Sequence, residues 1–309
     1  MPTNSFLIKK TELTEAIEFG AFHRFDLEPD DVIYHYTSLD AFMQIMESDV
    51  FHATEYHYLN DMDEMQFVDN VLMEVLHEEF KDASNPRMFY EYVMDAMQAM
   101  KLKVESLENS YYVISFSASR DNLTLWSEFA HYGCNLGIKP FDFLASIDKK
   151  AVYSGYVFYT RLEQKNVIRH AIVEVFEHYF EKPYLEMGSL SAYLDQMTED
   201  ELAYVAASVV ELAYYYGMAM KDELYAAENE YRIVFSGKDE DVRYRRRDNL
   251  LIPYIERQAD MSRNFPALSS VTLAPLGKGY MQVRSVEQFL QNMKLEDKKI
   301  YESKLNLRY

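Results

Sequence analysis

"YYVISFSAS", Tyr111–Ser119, is the stretch at which the chain changes character. Before it, apolar residues recur at helical spacing. Met65, Val68, Leu72, Val75 and Leu76 form one stripe, and Phe89, Val93, Met97, Met100 and Val104 form another on a helix that begins at Pro86. In Tyr111–Ser119 the pattern becomes alternating and β-branched, which predicts a strand. Two more strands are expected close behind it, in "NLGIKP" and "AVYSGYVFYT", with a short helix in "DNLTLWSEFAHYG" that Gly133 terminates. From Glu163 to about Ala226 the period is helical again. Strands then return in "NEYRIVFSG", "NLLIPYIER", "SSVTLAP" and "KIYESKLNL".

Two strand groups separated by helices, rather than alternating with them, predict an α+β fold over a parallel doubly wound sheet. Accordingly, no Gly-rich turn joins a strand to a helix as in a dinucleotide fingerprint or a phosphate loop. With 9 Gly and 8 Pro dispersed along 309 residues, no linker is evident. The expectation is one domain over 1–309, with a helical insertion at about 163–226.

Near the start, Asp31–Tyr36 reads as a strand, and Leu39, Phe42, Met43 and Met46 as a helix behind the candidate caps Thr37 and Ser38. "VFHAT" reads as a second strand. "EYHYLND" reads as a loop that leads to a helix opened by Asp61 and Glu64 in a capping-box-like pattern.

The composition narrows the function classes. Lys and Arg total 31 against 51 Asp and Glu, for a net charge of -20, a field that repels phosphate backbones. The exception is "VRYRRRDN", with Arg243, Arg245, Arg246 and Arg247. It reads as a solvated loop, a docking patch for the acidic body, or a phosphate grip. One cysteine, Cys134, excludes an internal disulfide framework and a Cys-based metal cluster. No segment reaches the roughly 18 apolar residues of a membrane span, and the first residues lack a signal-peptide pattern, so a cytoplasmic protein with no membrane partner is expected. The histidines form no metal-binding pair; His52 and His57 lie beside a loop without companion ligands.

Four separated polar stretches are candidates to surround a ligand: "YHYTS", "YLND", "SFSAS" with "LWSEFAHYG", and "ENEYRI". Glu228 and Glu230, two apart at the mouth of a strand, are expected to share a face with Arg232. Paired carboxylates suit an oxocarbenium-like centre; a polar strand edge in which Arg232 neutralises one Glu is the alternative. His35 is either a site residue or a histidine that satisfies a backbone carbonyl. Trp126 is either a platform for a ring or core, and Tyr132 beside Gly133 has the same ambiguity.

Taken in order, these stretches resemble a widespread bacterial family catalogued as a domain of unknown function. Its members carry a Tyr-His-Tyr-Thr-Ser strand, an Asn-Asp-Pro-x-Glu loop, a Phe-Ser strand, Trp and His-Tyr-Gly, and a late Glu-x-Glu-x-Arg. "LNDMDE" and "HYGCNLGI" depart from that pattern locally. More distantly the family is similar to the ADP-ribosyltransferase superfamily, which implies a split antiparallel or mixed sheet with flanking helices and a cleft for NAD. By that resemblance His35 holds the adenosine ribose, Ser117 braces the nicotinamide side, and Glu230 binds the nicotinamide ribose, with Glu228 the first acid of the pair. Tyr36, Thr37, Ser38, Tyr58, Asn60, Trp126, Tyr132 and Arg232 are the remaining NAD-binding candidates. The implied function is ADP-ribosyl transfer from NAD, without a metal, by a toxin or antiphage effector. Its acceptor would be an unknown protein or nucleic acid, and an antitoxin or regulatory partner is implied. NAD hydrolysis and a nucleotide-sensing or protein-interaction module without turnover are the alternatives.

Overall fold

The structure is a computed structural model. It describes residues 28, 30–59, 64–105, 111–149, 151–237, 241–247, 249–259, 267–277 and 279–305. The described chain divides into two compact units, one from residues within 60–110 and 158–223, the other from residues within 22–59, 111–157 and 224–309.

The first unit is helical: α2 (Glu64–Glu79), α3 (Pro86–Glu105), α6 (Arg161–Phe180), the short α7 (Tyr184–Met187) and α8 (Leu190–Leu194), and α9 (Glu199–Gly217). The stripes expected from periodicity are its core. Val68, Leu72, Val75, Leu76, Phe89 and Val93 are fully buried and the apolar rows of α6 and α9 are buried, whereas Met100, expected in the α3 stripe, is half-buried. Asp61 lies outside the described residues, as do the side chains of Met65 and Val104. Helix ends follow local chemistry, because Thr160 with Glu163 and Thr198 with Glu201 form capping boxes at α6 and α9. Across the exposed surface Arg161, Lys165 and Arg169 of α6 pair with Glu74, Glu78 and Glu79 of α2.

The second unit is a ten-stranded sheet: β1 (Ile33–Thr37), β2 (Val50–Glu55), β3 (Tyr111–Ser117), β4 (Cys134–Ile138), β5 (Tyr153–Tyr156), β6 (Glu230–Ser236), β7 (Val242–Arg247), β8 (Leu250–Gln258), β9 (Leu268–Leu273) and β10 (Lys299–Glu302). Every pairing is antiparallel except β9 with β10. The protein is therefore mixed α and β with a mostly antiparallel open sheet.

The sheet forks at β3. One edge of β3 pairs with β6 along its whole length, and β6 pairs in turn with β5. The other edge is shared: Ser117 pairs with Tyr34 of β1, whereas Tyr112 and Val113 pair with Glu55 and Thr54 of β2. From there β4, β9 and β10 continue beyond β1, and β8 and β7 continue beyond β2.

One face carries the main core. Ile33, Phe51, Ala53, Ile114, Phe116, Leu136, Tyr231, Ile233 and Val271 pack there under α1 (Leu39–Ser48), α5 (Pro140–Ser146) and α10 (Tyr280–Asn292). Ser38 caps α1 by accepting from the Ala41 amide at 3.2 Å, a bond worth about 1 kcal/mol. Met43, expected in the buried stripe, is 44% exposed; Ile45 takes its place. The basic run read as a loop is the edge strand β7. Its charged side chains hide the apolar alternation by which strands are recognised, and they blunt an edge that would otherwise invite pairing.

Candidate functional site

The register sorts the candidate residues by face. Tyr34, Ser117 and Glu230 form one row across β1, β3 and β6, and Arg232 follows Glu230 on the same face. His35 is one residue from Tyr34 and so points to the opposite face, where its ring meets Phe51 (5.6 Å) and Phe116 (5.5 Å). His35 and Glu230 therefore do not converge on one groove. The imidazole instead serves the fork. Its Nδ1 donates to the carbonyl of Ser115 at 2.9 Å, in the part of β3 between its pairings with β1 and β2. This is the backbone-satisfying role, and it fixes the Nδ1–H tautomer.

Burial lowers the pKa of His35 below its ordinary 6.5, helped by Arg245 and His52 and opposed by the Ser115 bond. The unfolded chain thus takes up the proton first. Stability is full above about 6.5 and is lost as pH falls from there toward the folded value. His52, lowered by burial and then by Arg245, adds a loss of the same sign. A His35→Gln variant is expected to show a smaller drop in urea midpoint between about pH 7.5 and about pH 5.5 than the unaltered chain.

Glu230 and Arg232 are 6% and 1% exposed and meet side-on, Nε to Oε1 at 3.1 Å and Nη2 to Oε2 at 3.1 Å. This is the neutralised strand-edge pair that the spacing allowed. The shared face of Glu228 and Glu230 is corrected. Glu228 ends a 3-10 turn (Glu223–Glu228), and Asn229 has φ +46, so strand alternation does not extend across it. Ser117 is 2% exposed; its hydroxyl donates to the Glu228 carbonyl at 2.6 Å and accepts from the Ser119 amide at 3.0 Å.

Tyr36 lies on the Glu230 face. Its hydroxyl donates to the Ser119 carbonyl (2.7 Å) and accepts from the Asn122 amide (3.1 Å), and burial raises its pKa. Its ring stands edge-on to Trp126 at 4.6 Å. Trp126, in α4 (Leu123–Phe129), is fully buried, and its indole donates to Asp121 at 2.8 Å. It is core, not an exposed stacking platform. Thr37 is buried on the face of His35, and Ser38 is spent on the helix cap. Tyr132 is 66% exposed in a turn, Tyr58 is 38% exposed, and Asn60 lies outside the described residues.

One arrangement escaped the sequence reading. The Glu55 carboxylate, 1% exposed, accepts from the His57 amide at 2.9 Å and meets Nδ1 of its ring at 2.7 Å. The intervening Tyr56 touches both His57 (ring centroids 5.6 Å) and the Arg232 guanidinium (5.9 Å). His57 therefore has the companion that its loop position concealed. A Glu two residues before a His is a signal only once the strand end is known.

Among the described residues no group of three His, Cys, Asp or Glu side chains is placed to hold a metal ion, and no helix is long and apolar enough to cross a membrane. Comparison with protein-family models, curated proteins and solved structures finds no match to this chain.

Proposed function

We propose that the Glu230 face of the forked sheet carries glycosyl transfer from NAD, on a fold of ADP-ribosyltransferase type. The supporting observation is the row Tyr34, Ser117, Glu230 beside the fork, with Arg232 orienting the carboxylate. The residues fit the group in one respect: a fixed carboxylate on a sheltered sheet face, next to a tyrosine, suits a ribose and a planar ring. NAD supplies a glycosidic bond whose cleavage leaves positive charge on ribose C1. Glu230 stabilises that charge. Nicotinamide leaves as a neutral ring, the acceptor hydroxyl or a water bonds to C1, and the proton it sheds passes to solvent. His35 has no part in the chemistry. A role as a bacterial toxin or antiphage effector, with a protein or nucleic-acid acceptor, belongs to the same proposal.

The test is nicotinamide release from NAD. Glu230→Gln is expected to lose at least about tenfold in rate, since one transition-state hydrogen bond is worth about 1.4 kcal/mol or more. His35→Ala, corrected for the folded fraction, leaves the rate unchanged. Equal rates in the unaltered chain and Glu230→Gln reject the reading. The near-complete burial of the Glu230–Arg232 pair favours one second reading, a nucleotide-binding module without turnover. Calorimetric binding of NAD without nicotinamide release selects it.

A further inference from the structure

β7 ends one limb of the sheet, pairing with β8 alone among the described residues, and its sequence is Val-Arg-Tyr-Arg-Arg-Arg. Register with β8 and β2 places Arg243, Arg245 and Arg247 on one face with Tyr254, Thr54 and His52. The middle arginine is held in place. Arg245 donates to the Thr54 hydroxyl at 2.6 Å and lies over the Tyr254 ring at 5.6 Å, while His52 stacks on that ring at 4.1 Å. Arg243 and Arg247 flank it, exposed. The opposite face presents Arg246 and Tyr244, which is 65% exposed.

We propose that this edge binds the backbone of a single-stranded nucleic acid. Residues two apart on a strand lie about 6.6 Å from each other, comparable to successive phosphates of an extended single strand. Arginine grips phosphate bidentately and stacks on bases, as exposed Tyr244 also can. A second copy is disfavoured as occupant, because an antiparallel β7–β7 pair would set arginine against arginine. The rest of the surface repels the strand, since the chain carries -20 overall. Beyond a Debye length of about 8 Å that repulsion is screened, so contacts at β7 govern affinity near physiological salt. Glu256, opposite His52 on the same face, limits the site on one side. The inference stands independently of the NAD reading.

Fluorescence anisotropy with labelled single strands and a duplex of about 15 nucleotides tests it. The unaltered chain is expected to prefer the single strand. Arg243→Glu with Arg247→Glu weakens binding at least tenfold and lowers the salt slope by about 1.4, or 0.7 per lost phosphate contact. Arg87→Glu, on the helical unit, leaves affinity unchanged. Absence of binding by the unaltered chain, equal affinity in the double variant, or tighter binding to polyglutamate than to the oligonucleotide overturns the proposal. The last outcome would assign the edge to an acidic protein segment.

Discussion

Replacing Arg232 with Met lowers the stability of the sheet unit by about 3–5 kcal/mol, because Glu230 loses its two-point partner in a site where water does not replace it. Both side chains are nearly inaccessible, and the cost of taking the carboxylate out of water is met in part by the guanidinium. The informative control is the double variant Arg232→Met with Glu230→Leu. Removing both charges abolishes the desolvation cost along with the attraction, and this variant is expected to recover most of the loss. Trp126 makes the measurement specific. It is the one tryptophan of the chain, lies within the sheet unit and is fully buried, so its emission reports unfolding of that unit during a urea titration. A loss below about 1 kcal/mol for the single variant would show that the pair contributes little.

Gly133→Ala is expected to cost about 3 kcal/mol or more, for a different reason. A Cβ at position 133 would sit 2.0 Å from the carbonyl oxygen of Thr37 and 3.0 Å from Ser38 Cα, all backbone atoms at the end of β1. Position 133 cannot retreat, because its carbonyl accepts from the Ala274 amide at 3.1 Å and its amide donates to the Ala130 carbonyl at 3.1 Å. Gly137→Ala serves as the contrast. There the nearest atom, at 2.4 Å, is the Ser270 hydroxyl, which ends a side chain and can rotate. A Gly133→Ala midpoint within about 0.5 kcal/mol of the unaltered chain would show that the β1 end yields.

Gly133 also shows how a sound local reading can miss the cause. As a helix terminator it is displaced, since α4 ends at Phe129 and Ala130 follows as its cap; the glycine answers to a strand far away in sequence. The loop reading of "VRYRRR" fails for the opposite reason. Strands are recognised by apolar alternation, and an edge strand with charge on both faces has none. α5 and α10 went unread, whereas the stripes of α2, α3, α6 and α9, each repeated over several turns, were plain. At the candidate site, Ser38 as a cap and Arg232 as the partner of Glu230 were legible because both bonds span two or three residues. The Glu55–His57 contact is as short, but its meaning depends on where β2 stops.

Periodicity and capping chemistry, which act within one or two turns of chain, account for the long helices and most of the strands, and hence for a mixed α and β chain, but not for β7, α5 or α10. The fork at β3, and with it the faces of His35 and Glu230, came only from tertiary structure. A strand has two edges and two faces, and which neighbour takes each edge is decided by burial across residues from about sixty to more than a hundred positions apart.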